Sequence, residues 1–273
     1  MFYLIVIAIF TAFCQGENYA VLVSGIHYYH DYQLEATICH GYQTLLDKGF
    51  KKDNIITFMR DVSNDFKNPY PNKIFNDLNH TRDFFQGIKI DYPREHVTFE
   101  NLFSVLLGDE KSVPVGKPVL KSTEKDNIFI YLVCKGGLGT FTINDSQTEI
   151  DAIFNVLFKM HKKKNYKNIL FFFDADSGSL QMPEFPIDFK ILFLTNSFAL
   201  EQRNNIFFDK EMNVYLSTEF STNVLNDIDE HAIDNRTIRE HFEAVRAKST
   251  KNHVYIYGDE SLLDIKMNEF MSN

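Results

Sequence analysis

The sequence predicts an α/β domain built on a mostly parallel sheet of about six strands, flanked by helices on both faces. Three observations carry this reading. Short apolar runs alternate with helical patterns along the chain. The runs are apolar almost end to end, as strands buried on both faces must be. No linker or shift of composition divides the chain, so one domain is expected. The composition, 44% hydrophobic and 24% charged over 273 residues, is that of a globular protein and excludes disorder and coiled-coil arrays. Trp is absent while Phe numbers 27, so a Phe-rich core is expected.

The elements follow in order. Tyr19–Ser24, ending at Gly25, suits a buried strand, and a helix follows to Lys48, stopped by Gly49. Asn54–Met59 is the second strand. Residues 61–96 read as an irregular insertion, with turn chemistry at Asn68-Pro-Tyr-Pro-Asn72. Thr98 is the expected N-cap of a helix ending at Gly108, with Asn101 in place of the usual Glu. A surface loop, 109–126, leads to a strand at Asn127–Val133 and a tight loop at Gly136, Gly137 and Gly139. A helix over Thr148–Met160 precedes strands at Asn168–Phe173 and Lys190–Thr195. Helices are predicted over 211–226 and 237–247, with a short strand or extended segment at Val254–Tyr257.

The first residues bear on location. Phe2 to Phe13 is a nearly unbroken apolar run, too short to cross a bilayer but suited to the core of a signal peptide ending at Gly16. Residues 1–16 are therefore expected to be a signal peptide, and 17–273 a single domain without a membrane span. Sequons at Asn79, Asn144 and Asn235 agree with a secretory route as candidate glycosylation sites. With 28 basic and 37 acidic residues, a net charge of −9, the chain is a poor partner for nucleic acid. Beyond the leader only Cys39 and Cys134 remain; both are expected to be free and structural. Neither has metal-ligand spacing, so no metal or cofactor is expected.

In parallel sheets, ligands bind outside the carboxyl ends of the strands. That rule selects three loops: Ser24–Gln33, Cys134–Gly139 and Asp174–Leu180. Asp174-Ala-Asp176-Ser-Gly resembles one half of an aspartic-peptidase site, but that chemistry needs two carboxylates sharing a proton and the chain has no second copy.

At these loops the sequence resembles the legumain (asparaginyl endopeptidase) family, whose caspase-like fold also serves the catalytic subunit of glycosylphosphatidylinositol transamidase. The resemblance rests on Cys39-His-Gly-Tyr-Gln43, Asn68-Pro-Tyr-Pro, Gln86-Gly87 with Asp91-Tyr92, and the run from Val97-Thr98 through Asn101-Leu-Phe to Gly108-Asp109. It extends from about residue 18 to 258. It implies a caspase-like three-layer fold and a cysteine endopeptidase ancestry, with a lysosomal, vacuolar or extracellular destination. The family's nucleophilic Cys falls here on Asp176, its His on Lys135 and its Asn on Asp31. The implied substrate-pocket positions are Gln33, Leu34, Asp174 and Thr218. The family's C-terminal pro-domain is not found before Asn273.

A carboxylate is a weak nucleophile toward amides, and Lys near its normal pKa of about 10.4 does not act as a base. The expectation is therefore an inactive homologue, not an enzyme, that binds a peptide or protein, among them an active peptidase or its inhibitor. Two alternatives stay open: an active asparaginyl-type cysteine endopeptidase, and a hydrolase with Ser177 or Ser179 activated by Lys135. Asp31, Asp174 and Asp176 argue against the latter, because carboxylates favour charged Lys. His27 and His30 lie near the cleft without a pairing that suggests catalysis, and His40 reads as a structural helix residue. Gln33, Lys135 and Asp176 are expected to converge at one rim, with Lys135 and Asp176 facing each other as an ion pair or across one water.

Overall fold

The computed structural model describes residues 16–26, 28–137, 139–176, 186–196 and 201–273. Residues 1–15 of the expected signal peptide, His27, Ser177 and Ser179 lie outside them.

The central strands form as the apolar runs dictate: β1 (Asn18–Ser24), β2 (Ile55–Met59), β4 (Asn127–Gly136), β7 (Asn168–Ala175) and β8 (Ile191–Thr195), with a two-residue β3 (Tyr92–Pro93). Between them come α1 (Tyr32–Asp47), α2 (Phe99–Leu106), a hairpin of β5 (Thr140–Ile143) and β6 (Ser146–Glu149), and α3 (Ile150–Lys163). Beyond β8 follow β9 (Asn205–Asp209), β10 (Val214–Thr218), α4 (Glu219–Glu230), α5 (Ile238–Lys248), β11 (Tyr255–Gly258) and α6 (Asn268–Met271). The strand order is β11-β8-β7-β4-β1-β2-β3, with β5 attached to β4 and β6 to β5. Pairing is parallel from β8 to β3, while β11 runs antiparallel along β8.

Alternation along each strand feeds two cores. Ala20, Leu22, Phe129 and Phe172 pack with α1, α4 and α5 on one face; Val21, Val23, Phe171 and Phe173 pack with α2 and α3 on the other. The aromatic expectation holds, with Phe129 and Phe172 edge to face at 5.0 Å and Phe171 stacked near Phe193 at 5.1 Å. Three layers result. Cys39 and Cys134 are both free and buried, as expected. Thr98 caps α2 by accepting from the Asn101 N–H at 3.2 Å, and Asn101 turns its amide to the His96 carbonyl at 2.9 Å.

The helix expected over 211–226 starts late. Its first residues are β10, where Val214 and Leu216 are buried and Tyr215 between them is exposed, a period of two. Thr218 then caps α4, accepting from the Ser221 N–H at 3.1 Å. The hairpins β5–β6 and β9–β10 were not predicted, since strands of four or five half-exposed residues leave little apolar signal. Among the described residues no helix is long and apolar enough to cross a membrane.

Candidate active site

The carboxyl ends of β1, β4, β7 and β8 meet at one rim. Two glycines let them approach. A Cβ on Gly25 would stand 2.7 Å from the Cys134 Cβ, and one on Gly136 would stand 1.8 Å from the Asp176 carbonyl oxygen. The end of β4 therefore runs against the backbone that leaves β7. That contact brings Lys135, at the end of β4, close to the loop that carries Asp176.

The two side chains do not pair with each other, which corrects the expected ion pair. Lys135 Nζ lies 2.8 Å from Asp31 Oδ2, which α1 presents at its start. Asp176 turns to Arg203: its Oδ1 accepts from the Arg203 backbone N–H at 3.0 Å and its Oδ2 from Nη2 at 3.4 Å. Each charge finds a nearer opposite partner, so two ion pairs stand where one was expected. Lys135 is 39% exposed and Asp176 32%, so both are open to a ligand, whereas Asp31 and Arg203 are nearly buried.

Arg203 is the residue that sequence reading missed. Its Nη1 donates to the Cys134 carbonyl at 2.9 Å and sits 3.7 Å from Asp174 Oδ1. One guanidinium thus joins the ends of β4 and β7. It lies in an irregular stretch with no motif around it, and only the fold gives it a role. Asp174 beneath it is fully buried and accepts from Thr218 Oγ1 at 2.7 Å, Ser221 Oγ at 2.6 Å and Asn196 Nδ2 at 2.7 Å. Burial pushes its carboxyl above the usual carboxylate range, and Arg203 and the two hydroxyls pull against that shift.

Gln33 Nε2 donates to Asn205 Oδ1 at 3.3 Å, two residues along from Arg203. Gln33, Lys135 through Asp31, and Asp176 through Arg203 thus converge at one rim. The remaining positions expected to line a pocket do not reach it: Leu34 is wholly inside the core, and Asp174 and Thr218 are sealed in the network just described. They form a floor. Several buried polar atoms at this rim have no hydrogen-bond partner, among them Ser24 Oγ, Gln33 Oε1 and Arg203 Nε.

Neither cysteine supplies a thiolate here, because burial pushes both thiols well above the ordinary range. His30 is exposed and 3.3 Å from Asp31, while His40 is buried between Asn76 at 3.1 Å and Asp229 at 2.7 Å, a structural placement. Asn79 and Asn235 are exposed, whereas Asn144 is half-buried with its amide engaged by Arg60 and Arg94.

The sequence profile of the Peptidase C13 family matches residues 18–273. The chain belongs to that family. This C13 chain is 31% identical to the hemoglobinase of Schistosoma japonicum over 94% of its own length and 60% of the relative's. It is 32% identical to the vacuolar-processing enzyme delta-isozyme of Arabidopsis thaliana (91% and 57%) and 29% identical to the legumain of Rattus norvegicus (93% and 59%). It spans about 60% of the length of these relatives. The caspase-1 of Spodoptera frugiperda superposes with a TM-score of 0.54 at 12% identity, covering 95% of this chain and 92% of that one, which shows the caspase-like fold.

This membership overturns the expectation that the chain is not an enzyme. Its relatives carry the names of a hemoglobinase, a legumain and a processing enzyme, and the family points to an enzyme. The physical reason is that the exchanges the resemblance implies at Asp176 and Lys135 would remove only the thiolate–imidazole mechanism, and acid–base and electrostatic catalysis need no thiolate.

Proposed function

We propose that this C13 chain is a legumain-like hydrolase of the secretory pathway, with residues 1–16 as signal peptide and 17–273 as one peptidase-fold domain. It binds an extended peptide segment along the carboxyl rim of its sheet and acts on it without a thiolate–imidazole pair. The observation that supports this reading most is the placement of Lys135 and Asp176. Lys135 stands at the end of β4 and Asp176 just beyond the paired β7, each half-open to solvent and each fixed by its own partner, Asp31 or Arg203.

Their roles follow from their charges. Asp176, oriented by Arg203, accepts the proton of a water that attacks the peptide carbonyl and returns it to the departing amine as the C–N bond breaks. Lys135 holds the negative charge that develops on the carbonyl oxygen. The ligand is a peptide or an exposed loop of another protein, and the exposed sequons at Asn79 and Asn235 suit passage through a glycosylating compartment. The name of the vacuolar-processing enzyme supports a vacuolar or lysosomal destination over an extracellular one.

The test is a binding and turnover assay on the mature chain with Asn-containing peptides. Turnover that falls at least tenfold in both Asp176→Ala and Lys135→Met, with binding retained, is the expected result. Binding without turnover in the unaltered chain would overturn the hydrolytic half of the proposal. Absence of peptide binding would overturn the whole.

A further inference from the structure

A second feature of the same rim lies two strands away from Lys135. Arg60 and Arg94 are the first residues after β2 and β3, whose last residues pair as Met59 with Pro93. The two arginines therefore stand side by side at the carboxyl edge. They border a cleft of about 300 Å³ together with Asp61, Asp65 and the exposed Phe66. Among the described residues neither guanidinium has a carboxylate partner at ion-pair distance, and Arg60 Nη1 reaches only the Asn144 amide oxygen at 3.3 Å. The two carboxylates of the cleft are engaged locally. Asp61 accepts from Ser63 Oγ at 2.6 Å and from Asn64 Nδ2, and Asp65 from the Lys67 N–H at 3.0 Å.

The backbone here is held in conformations that side chains disfavour. Asp61 has φ 68° and Arg94 φ 48°. Such a geometry persists only where the surroundings fix it, and Glu35 does so. Its wholly buried carboxyl accepts the N–H groups of Arg60 at 2.9 Å, Asp61 at 3.2 Å and Val62 at 2.6 Å. The Arg60 backbone is thus fixed in advance, while its guanidinium has no ion pair among the described residues.

The hairpin β5–β6 connects this cleft to Lys135. It leaves β4 with Thr142 beside Lys135, its Asn144 N–H meets the Gly25 carbonyl at 3.4 Å, and the Asn144 amide bridges Arg60 and the Arg94 carbonyl. The path runs across the rim from β4 past β1 to β2 and β3. With neighbouring strands about 4.8 Å apart, Arg60 lies roughly 10 Å and Arg94 roughly 14 Å from the end of β4. An extended peptide advances about 3.3 Å per residue, so three to four residues span the gap.

We infer that Arg60 and Arg94 form an acidic-residue subsite. It takes the carboxylate of a Glu or Asp three to four residues away from the peptide residue seated at Lys135 and Asp176. This deepens the proposed function and rests on its assignment of the rim as a peptide site. Guanidinium pairs bind carboxylates in a fixed planar geometry, and the half-exposed setting favours a moderate gain with marked salt sensitivity.

The experiment uses labelled eleven-residue alanine-based peptides carrying one central Asn, with a single Glu walked from one to five residues to either side. Each peptide is compared with its Gln counterpart by fluorescence anisotropy. The expected result is binding strengthened about fivefold to tenfold by Glu over Gln at one position three or four residues from the Asn, and not at the others. Arg60→Gln and Arg94→Gln should each remove most of that preference while Gln peptides bind as before, and 0.5 M salt should shrink it. Arg239→Gln, a surface arginine paired with Asp264, should leave it unchanged. If Asn peptides bind with no Glu preference, or if the preference survives both arginine variants, the subsite is refuted while the peptide site stands. If no peptide binds, both fall.

Discussion

Asp176 is held at both of its oxygens by one residue, Arg203, through a backbone N–H at 3.0 Å and a guanidinium nitrogen at 3.4 Å. The same guanidinium serves the Cys134 carbonyl and lies against Asp174. Removing it leaves a fully buried carboxylate and a buried carbonyl without their cation. Arg203→Met is therefore expected to cost about 2–4 kcal/mol in urea unfolding at neutral pH. Adding Asp174→Asn should restore part of that loss, because the uncompensated charge is then gone. A single-variant loss below about 1 kcal/mol would show that the rim does not depend on this residue.

The pair of Lys135 with Asp31 is of a different kind. Its lysine end is 39% exposed, so solvent screens the attraction even at 2.8 Å. Lys135→Met should shift unfolding free energy by no more than roughly 1 kcal/mol, and less in high salt. The contrast between a small effect on stability and a large one on turnover is what separates a group that acts on a ligand from one that holds the fold. Comparable losses in both would assign Lys135 to structure alone.

The strands were legible because β1, β4, β7 and β8 are nearly continuous apolar runs, and no other element imposes that pattern. The carboxyl-end rule then placed Gln33, Lys135 and Asp176 at one rim. What could not be read was pairing. Asp31 and Arg203 are distant in sequence from the charges they neutralise, and nothing in composition chooses Asp31 over Asp176 as the partner of Lys135. Tyr215, exposed between buried Val214 and Leu216, shows the other limit. Three residues of alternation next to a strong helical pattern are absorbed into the helix. Glu35 also gives no local sign, because the backbone N–H groups it binds are 25 to 27 residues away.

Gly136 offers a steric test of how the two loops meet. A Cβ there would fall 1.8 Å from the Asp176 carbonyl oxygen, so the backbone itself must move. Gly136→Ala should therefore separate the β4 and β7 loops, lowering unfolding free energy by about 1–3 kcal/mol and turnover more than tenfold. Gly116→Ala is the control for an added methyl group, since nothing lies within 4 Å of its Cβ position; with φ at +81° it carries a backbone cost only. Full turnover in Gly136→Ala would mean that the two loops need not touch.

Glu35 carries the pH dependence of this end of the sheet. Burial raises its carboxyl from the ordinary 4.5 to about 7, against the three backbone N–H groups that favour the charged form. A raised folded value means the folded chain holds a proton that the unfolded chain has released. Its contribution to stability is therefore fully present below pH 4.5 and is lost as pH rises to about 7, a change on the order of 3 kcal/mol. Glu35→Gln should flatten that slope. The absolute stability of the variant should fall as well, because the amide nitrogen cannot accept the bond that one of the backbone N–H groups now gives to a carboxylate oxygen. Urea midpoints of both proteins at pH 5 and pH 7.5 decide the matter through their difference. The unaltered chain should lose stability between the two values more steeply than the variant, and parallel pH profiles would place the titrating group elsewhere. At acidic pH Glu35 is neutral, and its burial then costs the folded chain least.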